Sequence, residues 1–305
     1  MSDLKANTKG ALFMMGSMAA FTINDAFMKA LGLVLPLPQA VVLRGLLTVA
    51  FLVALAPYLG GLKLRLPRQD WALITARNVA EVLIAYLFIT AIFNMPFANA
   101  TAILQVIPLA ITLAGWLFLK EQVGWRRLSA IIVGFIGVLL IVRPGFEGFN
   151  IYSVYVLVAV LMVTFRDLLV RRMSPDVPTM TVAISNAVSV TVVFGIWATQ
   201  VDWAPVGIAE MSKLCAAAVM VALAYFCAVA TMRSGDLAFI APLRYTALLW
   251  ALAIGFFVFG EWPDSVALVG ALVVVVTGIY SFYRERRIAL QSKAETVSPG
   301  TVDKY

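Results

Sequence analysis

Thr22-Ile23-Asn24-Asp25 lies inside an apolar run, and Thr164-Phe165-Arg166-Asp167 lies inside another run 142 residues later. Lys29 follows Asp25 by four residues, and Arg171 follows Asp167 by four. Two more correspondences fall at nearly the same distance. Ala85-Tyr86 matches Ala224-Tyr225 at an offset of 139, and Glu121 matches Glu261 at 140. One offset shared by separate polar landmarks points to a duplicated unit in this chain of 305 residues.

Outward from these landmarks, ten apolar runs fill the chain: about 10–32, 38–59, 71–93, 97–119, 125–142, 151–172, 177–199, 212–232, 238–259 and 265–283. Each approaches the 20 or so apolar residues that a helix needs to cross a bilayer. Pro36, Pro38, the Asn94-Met95-Pro96 turn, Arg143-Pro144 and clusters of charged residues punctuate them. The unit therefore holds five spans. Five is odd, so the second copy enters from the opposite face. The expected fold is an all-α membrane protein, its ten transmembrane helices forming two inverted five-helix repeats. Such repeats are related by a pseudo-two-fold axis in the membrane plane, an arrangement found in secondary transporters. The expected divisions are residues 8–143, residues 150–285 and a disordered cytoplasmic tail over 286–305.

Composition agrees. Hydrophobic residues make up 62% of the chain and charged residues 13%, against roughly 45–50% and 25% in soluble domains. Mean hydropathy is +0.95. The net charge of +7 invites a nucleic-acid reading, but the placement of the cations explains it otherwise. Loops and tails on the N-terminal side hold sixteen Lys and Arg, and the other side holds Arg143 and Lys213. That bias predicts cytoplasmic N- and C-termini in the inner membrane, with no nucleic-acid partner. The chain has no histidine, which removes His-based relays, triads and metal sites. No activated Ser or Cys constellation appears, so no catalytic residue, metal or cofactor is expected and the chain is not read as an enzyme. Cys215 and Cys227 lie about 18 Å apart along one helix, too far for a disulfide.

Lys29, Arg44, Arg77, Arg166 and Arg244 fall inside the runs. A charge at a helix centre costs roughly 2.5–3.5 kcal/mol on insertion scales, so it needs a partner or a wet cavity. Arg77 and Glu81 are four apart and share a helix face, about 10 and 15 Å deep. One reading puts both on a central cavity, with Arg77 meeting an anionic or carbonyl group of a solute and Glu81 accepting a solute donor or a coupling proton. The other is a self-neutralising structural pair. Arg244 has no acid on its own helix, and Gln105 is its counterpart at an offset of 139. With Tyr86, Tyr245 and Trp250 they suit a pocket for a flat heterocycle. Asp25 with Lys29 and Asp167 with Arg171 read either as gates at the two mouths or as ion pairs that snorkel to the interface. Asn24, Arg44 and Asn186 read as helix–helix hydrogen-bonding groups, and Gly134, Gly137, Gly270 and Gly278 as close-packing sites.

Several elements together resemble the drug/metabolite transporter superfamily, EamA type. They are Asn24-Asp25 with Lys29, Pro108-Leu109 with Lys120-Glu121, the glycines of Val133-Gly134-Phe135-Ile136-Gly137-Val138, Phe239-Ile240-Ala241-Pro242, and Phe259-Gly260-Glu261. The resemblance covers about residues 8–285 and is similar to the branch with riboflavin and S-adenosylmethionine uptake carriers. It implies alternating-access transport of a small organic solute, riboflavin first, with S-adenosylmethionine or amino acids as alternatives. A membrane-embedded enzyme or a regulatory membrane subunit is the competing class. The partners implied are a small-molecule substrate and membrane lipids, with a homodimer left open. In this sequence Arg166 stands where Asn24 stands, a departure from symmetry between the halves.

Overall fold

The computed structural model describes residues 2–58, 61–120, 123–144, 150–232 and 240–297, and side chains for most of them. Glu121 and Phe239 lie outside the described residues. Eleven helices succeed one another with no strand among the described residues: α1 Ser2–Leu31, α2 Leu37–Leu55, α3 Arg68–Asn94, α4 Phe97–Leu104, α5 Ile107–Leu119, α6 Trp125–Val142, α7 Ile151–Val170, α8 Thr179–Ala198, α9 Ile208–Met232, α10 Thr246–Phe259 and α11 Ser265–Val297. Ten segments among the described residues are long and apolar enough to cross a membrane. The chain is an all-α, multi-pass membrane protein.

Two spans are broken where the sequence read as one run. The fourth divides into α4 and α5 around Gln105 and Val106. Pro108 lacks the N–H that would bond to Leu104, and its ring crowds that carbonyl, so the helix stops there. The ninth begins with a 3₁₀ turn, Ala241–Tyr245, that contains Pro242. The last helix continues to Val297, so the first part of the 286–305 tail is helical. Arg284 to Ala294 is rich in Arg, Ala, Leu, Gln and Lys, all strong helix formers. Residues 298–305 lie outside the described residues.

Helix pairing relates the halves. α1 packs most extensively on α9 and α3 on α7; α2 also meets α9 while α3 meets α8; α1 meets α10 while α4 and α5 meet α7. Exchanging each helix for its counterpart five spans away turns each of these contacts into its partner. The α2–α8, α4–α10 and α6–α11 contacts map onto themselves. This pairing is consistent with an inverted repeat. At α6–α11 the backbones nearly touch. A Cβ on Gly137 would sit 2.9 Å from the Gly270 carbonyl oxygen, and one on Gly270 2.5 Å from that of Gly137. Gly278 faces the Tyr245 hydroxyl, and Gly134 faces Leu109 and Thr277. These glycines serve close packing, as expected of small residues between membrane helices.

The end of the bundle where α1 starts is called the N-terminal face, and the other the far face. At the far face, the Lys29 Nζ lies 2.8 Å from Glu261 Oε1, donates to the Met95 carbonyl at 2.7 Å, and sits 5.3 Å from the Phe259 ring centre. Glu261 Oε2 accepts from the Phe97 N–H at 2.8 Å. One lysine therefore ties the end of α1 to the α3–α4 and α10–α11 turns. Its side chain is only 10% exposed.

Candidate functional site

A cavity of about 160 Å³ lies at mid-depth among α1, α2, α3, α8 and α9. Asn24, Arg44, Glu81, Asn186 and Tyr225 supply its polar wall; Phe21, Val190 and Val221 are among its apolar lining. A second space of about 300 Å³ lies toward the N-terminal face, lined by Arg77, Met173, Ser174 and other residues, and shares Tyr225 with the first.

Two polar clusters flank this volume. In the first, Asn24 Nδ2 donates to Asp25 Oδ1 at 2.9 Å, and Arg44 Nη1 donates to Asn24 Oδ1 at 3.3 Å. In the second, Arg166 Nη1 meets Glu81 Oε2 at 2.9 Å, while its Nε and Nη2 each lie 2.9 Å from Asp167 Oδ1. Arg77 Nη2 stands 3.9 Å from the same Glu81 oxygen. Nearby, Asn78 Nδ2 donates to Ser185 Oγ at 2.7 Å and to Ser189 Oγ at 3.1 Å, tying α3 to α8. Among the described residues, several buried atoms in this region have no partner: Arg44 Nε, Arg77 Nε and Nη1, and Asn186 Oδ1. A buried polar group without a partner costs roughly 1–3 kcal/mol. Three donors and one acceptor in this region are thus left without a protein partner.

The expected site residues divide. Glu81 lines the first cavity and Arg77 the second space, and the two also form an ion pair. Glu81 has a closer partner than Arg77, namely Arg166 from the other half. Tyr86 is 37% exposed and belongs to an aromatic cluster with Tyr155 and Trp197, ring centres 6.3 and 5.8 Å away. Gln105 Nε2 reaches the Arg244 carbonyl at 3.5 Å, so the two broken spans meet there as the repeat predicts. Yet none of Gln105, Arg244, Tyr245 and Trp250 lines the cavity. Arg244 is exposed, Tyr245 is buried against Phe282, and Trp250 is 42% exposed. At the expected mouths, the local pairs give way to others. Asp25 is held by Asn24 rather than by Lys29, which takes Glu261. Asp167 takes Arg166. Arg171 is exposed at the end of α7.

Asn24 and Arg44, expected as helix–helix hydrogen-bonding groups, do join α1 to α2, and with Asn186 they also line the cavity. The repeat held the signal. At an offset of 142, Asn24 maps onto Arg166 and Arg44 onto Asn186. An Asn and an Arg have exchanged places between the two copies, so each copy keeps one of each on its first two spans. Tyr225 follows from the same comparison with an offset of 140, which aligns it with Ala85 and Val221 with Glu81. All four line the cavity. The offset of 139 aligns Tyr225 with Tyr86 and errs by one residue, which is about 100° of helix rotation.

Comparison with known proteins agrees with this architecture. The EamA-like transporter family matches residues 8–143. A protein named riboflavin transporter from Vibrio cholerae is 28% identical over 273 residues, covering 88% of this chain and 91% of that protein. An S-adenosylmethionine uptake transporter from Rickettsia prowazekii is 23% identical over 300 residues, covering 96% and 98%. A pseudopaline exporter from Pseudomonas aeruginosa is 23% identical over 278 residues, covering 88% and 94%. A solved crystal structure superposes with a TM-score of 0.66 at 17% identity, over 92% of this chain and 99% of the other, and shows the shared fold. Ten spans, the exchange of helix contacts between halves and the family match over residues 8–143 agree: this chain carries an EamA-like domain in its first half.

Proposed function

We propose that the protein is a secondary carrier that moves a small organic metabolite across the bacterial inner membrane by alternating access, doing no chemistry on it. The observation that carries this reading is the mid-depth cavity walled by polar groups from both halves, with the charged Arg44 and Glu81 from the first and Asn186 and Tyr225 from the second. Charges at that depth are costly, and those of membrane proteins mark solute and ion pathways. The sixteen-to-two cation bias supports a cytoplasmic N-terminal face.

Riboflavin is the first candidate. A flavin ring edge alternates carbonyl acceptors with an N–H donor, which suits free arginine donors beside the Asn186 carbonyl. The relatives named for riboflavin agree with it. S-adenosylmethionine is the second, supported by the relatives named for its uptake, with amino acids as a third class. Arg77, Glu81, Arg44, Asn24, Asn186 and Tyr225 form the substrate site. Gln105, Arg244, Tyr245, Trp250 and Tyr86 support it from the broken spans and the aromatic cluster. Lys29 with Glu261 acts as the gate at the far face. Asp25, Asp167 and Arg171 act in the rearrangement at the two mouths.

A thermal-shift screen of the purified protein against flavins, nucleosides, S-adenosylmethionine and amino acids tests the reading, followed by uptake of the labelled hit. A riboflavin-dependent rise in melting temperature that Arg44→Ala abolishes is expected. A shift from S-adenosylmethionine alone moves the assignment to the second candidate, and uptake unaffected by Arg44→Ala removes the cavity from the pathway.

A further inference from the structure

A groove of about 440 Å³ runs between α5, α6 and α7 on the outside of the bundle. Ala114, Leu117, Phe135, Leu161, Phe165 and Leu168 form its walls. Its polar lining is limited to Thr164 and Arg172, and the Thr164 hydroxyl is spent on the Val160 carbonyl at 2.8 Å. Phe118 and Leu161 on its rims are 70% and 60% exposed, so it opens sideways, away from the central cavity. From Leu161 to Arg172 it follows α7 for about 16 Å at 1.5 Å per residue. That is about half of a 30 Å hydrocarbon core, or one leaflet. At its N-terminal-face end stands the exposed Arg172, which has no ion-pair partner among the described residues.

The groove recurs in the other half. Leu113, Ala114, Leu117 and Phe118 line the first copy; Leu252, Ala253, Phe256 and Phe257, each 139 residues later, line a second space of about 570 Å³ on α10. A feature that appears twice at one offset belongs to the repeat and is not an accident of packing in one place. The two copies differ in chemistry. Trp262 completes the second, which has no charge in its lining.

We infer that the groove between α5, α6 and α7 binds an anionic phospholipid of the leaflet at the N-terminal face. One acyl chain lies along the apolar wall and the phosphate meets Arg172. Basic residues at the cytoplasmic edge of membrane helices are the usual partners of anionic headgroups, and Arg offers a planar fork to phosphate. The groove on α10, without a cation, takes acyl chains with no headgroup preference.

Native mass spectrometry of the full protein in detergent tests this with phosphatidylglycerol and phosphatidylcholine of identical chains. The bound fraction should favour phosphatidylglycerol by about fivefold, the factor that one surface cation contributes toward anionic lipid. Arg172→Gln should erase the preference and Arg172→Lys should keep most of it. Leu168→Trp should lower occupancy by both lipids, with Leu117→Trp as the alternative filling variant if the first is not monodisperse. Ala253→Trp should leave the preference unchanged. Equal binding of the two lipids, or a preference that survives Arg172→Gln or is lost in Ala253→Trp, overturns the assignment. So does competition by soluble glycerol phosphate, which would mean that the headgroup alone is bound.

Discussion

The two polar clusters beside the cavity share one pair of corresponding spans, α1 and α7, yet they solve the cost of buried charge differently. On α1 and α2, Arg44 gains one neutral contact, 3.3 Å from the Asn24 oxygen, and leaves its Nε without a partner among the described residues. On α3 and α7, Arg166 is clamped between two carboxylates at 2.9 Å. The exchange of Asn and Arg between the copies is what separates them. With the Arg on the second span, next to an Asn, its donors face the cavity. With the Arg on the first span, next to Asp167 and across from Glu81, they are used up. In the proposed carrier the first cluster offers an unpaired donor to a solute, while the Arg166–Glu81 pair of the second also links the two halves.

The largest effect should come from Arg166. Arg166→Ala leaves Glu81 with only the more distant Arg77, and a broken buried pair typically costs about 3–5 kcal/mol. Yield and monodispersity by size-exclusion chromatography should fall sharply, and Glu81→Gln in the same chain should restore part of the loss. A fully stable Arg166→Ala protein would erase the distinction between the clusters.

Arg44→Ala should do the reverse. It removes a single interhelical hydrogen bond, of a kind worth about 0.6 kcal/mol on average, so folding should survive while uptake falls at least about tenfold. Such a loss needs about 1.4 kcal/mol of differential binding, which one charge-assisted hydrogen bond can supply. Unchanged uptake with unchanged stability would mean that the free donors of Arg44 meet no solute.

Glu81→Gln alone sharpens the role of the second cluster. The shape is nearly kept, but the charge shared by Arg77 and Arg166 is gone. If Glu81 moves the coupling proton, vesicles should lose accumulation driven by a pH gradient and retain exchange of solute for solute. Accumulation that persists with its pH dependence assigns Glu81 to the structural pairs.

The smallest effect belongs to an ion pair outside the spans. Asp264 caps α11, accepting from the Ala267 and Val266 N–H groups at 3.0 and 2.9 Å, and pairs with Arg143. The Ala267 N–H, and then Arg143 and the Val266 N–H, hold its carboxyl below the ordinary value of 3.8. A depressed carboxylate contributes stability above its unfolded value and loses it as pH falls through the folded one. The side chain is 55% exposed, so the contribution is small. Asp264→Asn should change the melting temperature only slightly at pH 7. The difference from the parent chain should shrink as pH falls from 3.8 through the lower folded value, and vanish below it. A difference that grows on acidification would contradict the ionised cap.

Much of this was legible in the residues. Apolar runs of membrane length, the breaks between them, a unit repeated about every 140 residues and the identity of the costly intramembrane charges all follow from one-dimensional patterns. Within one helix, spacing also sets which residues share a face, and that is why Arg77 and Glu81 were expected together. What tertiary structure decided is the rotation of each helix against its neighbours. One residue of register is about 100°, enough to send Tyr225 into the cavity while Tyr86 joins an aromatic cluster. The same rotation gave Glu81 to Arg166, 85 residues away in sequence, and Lys29 to Glu261 rather than to Asp25, four residues away. Periodicity sets the face of a helix, but its partners are chosen by packing between helices, which no local pattern encodes.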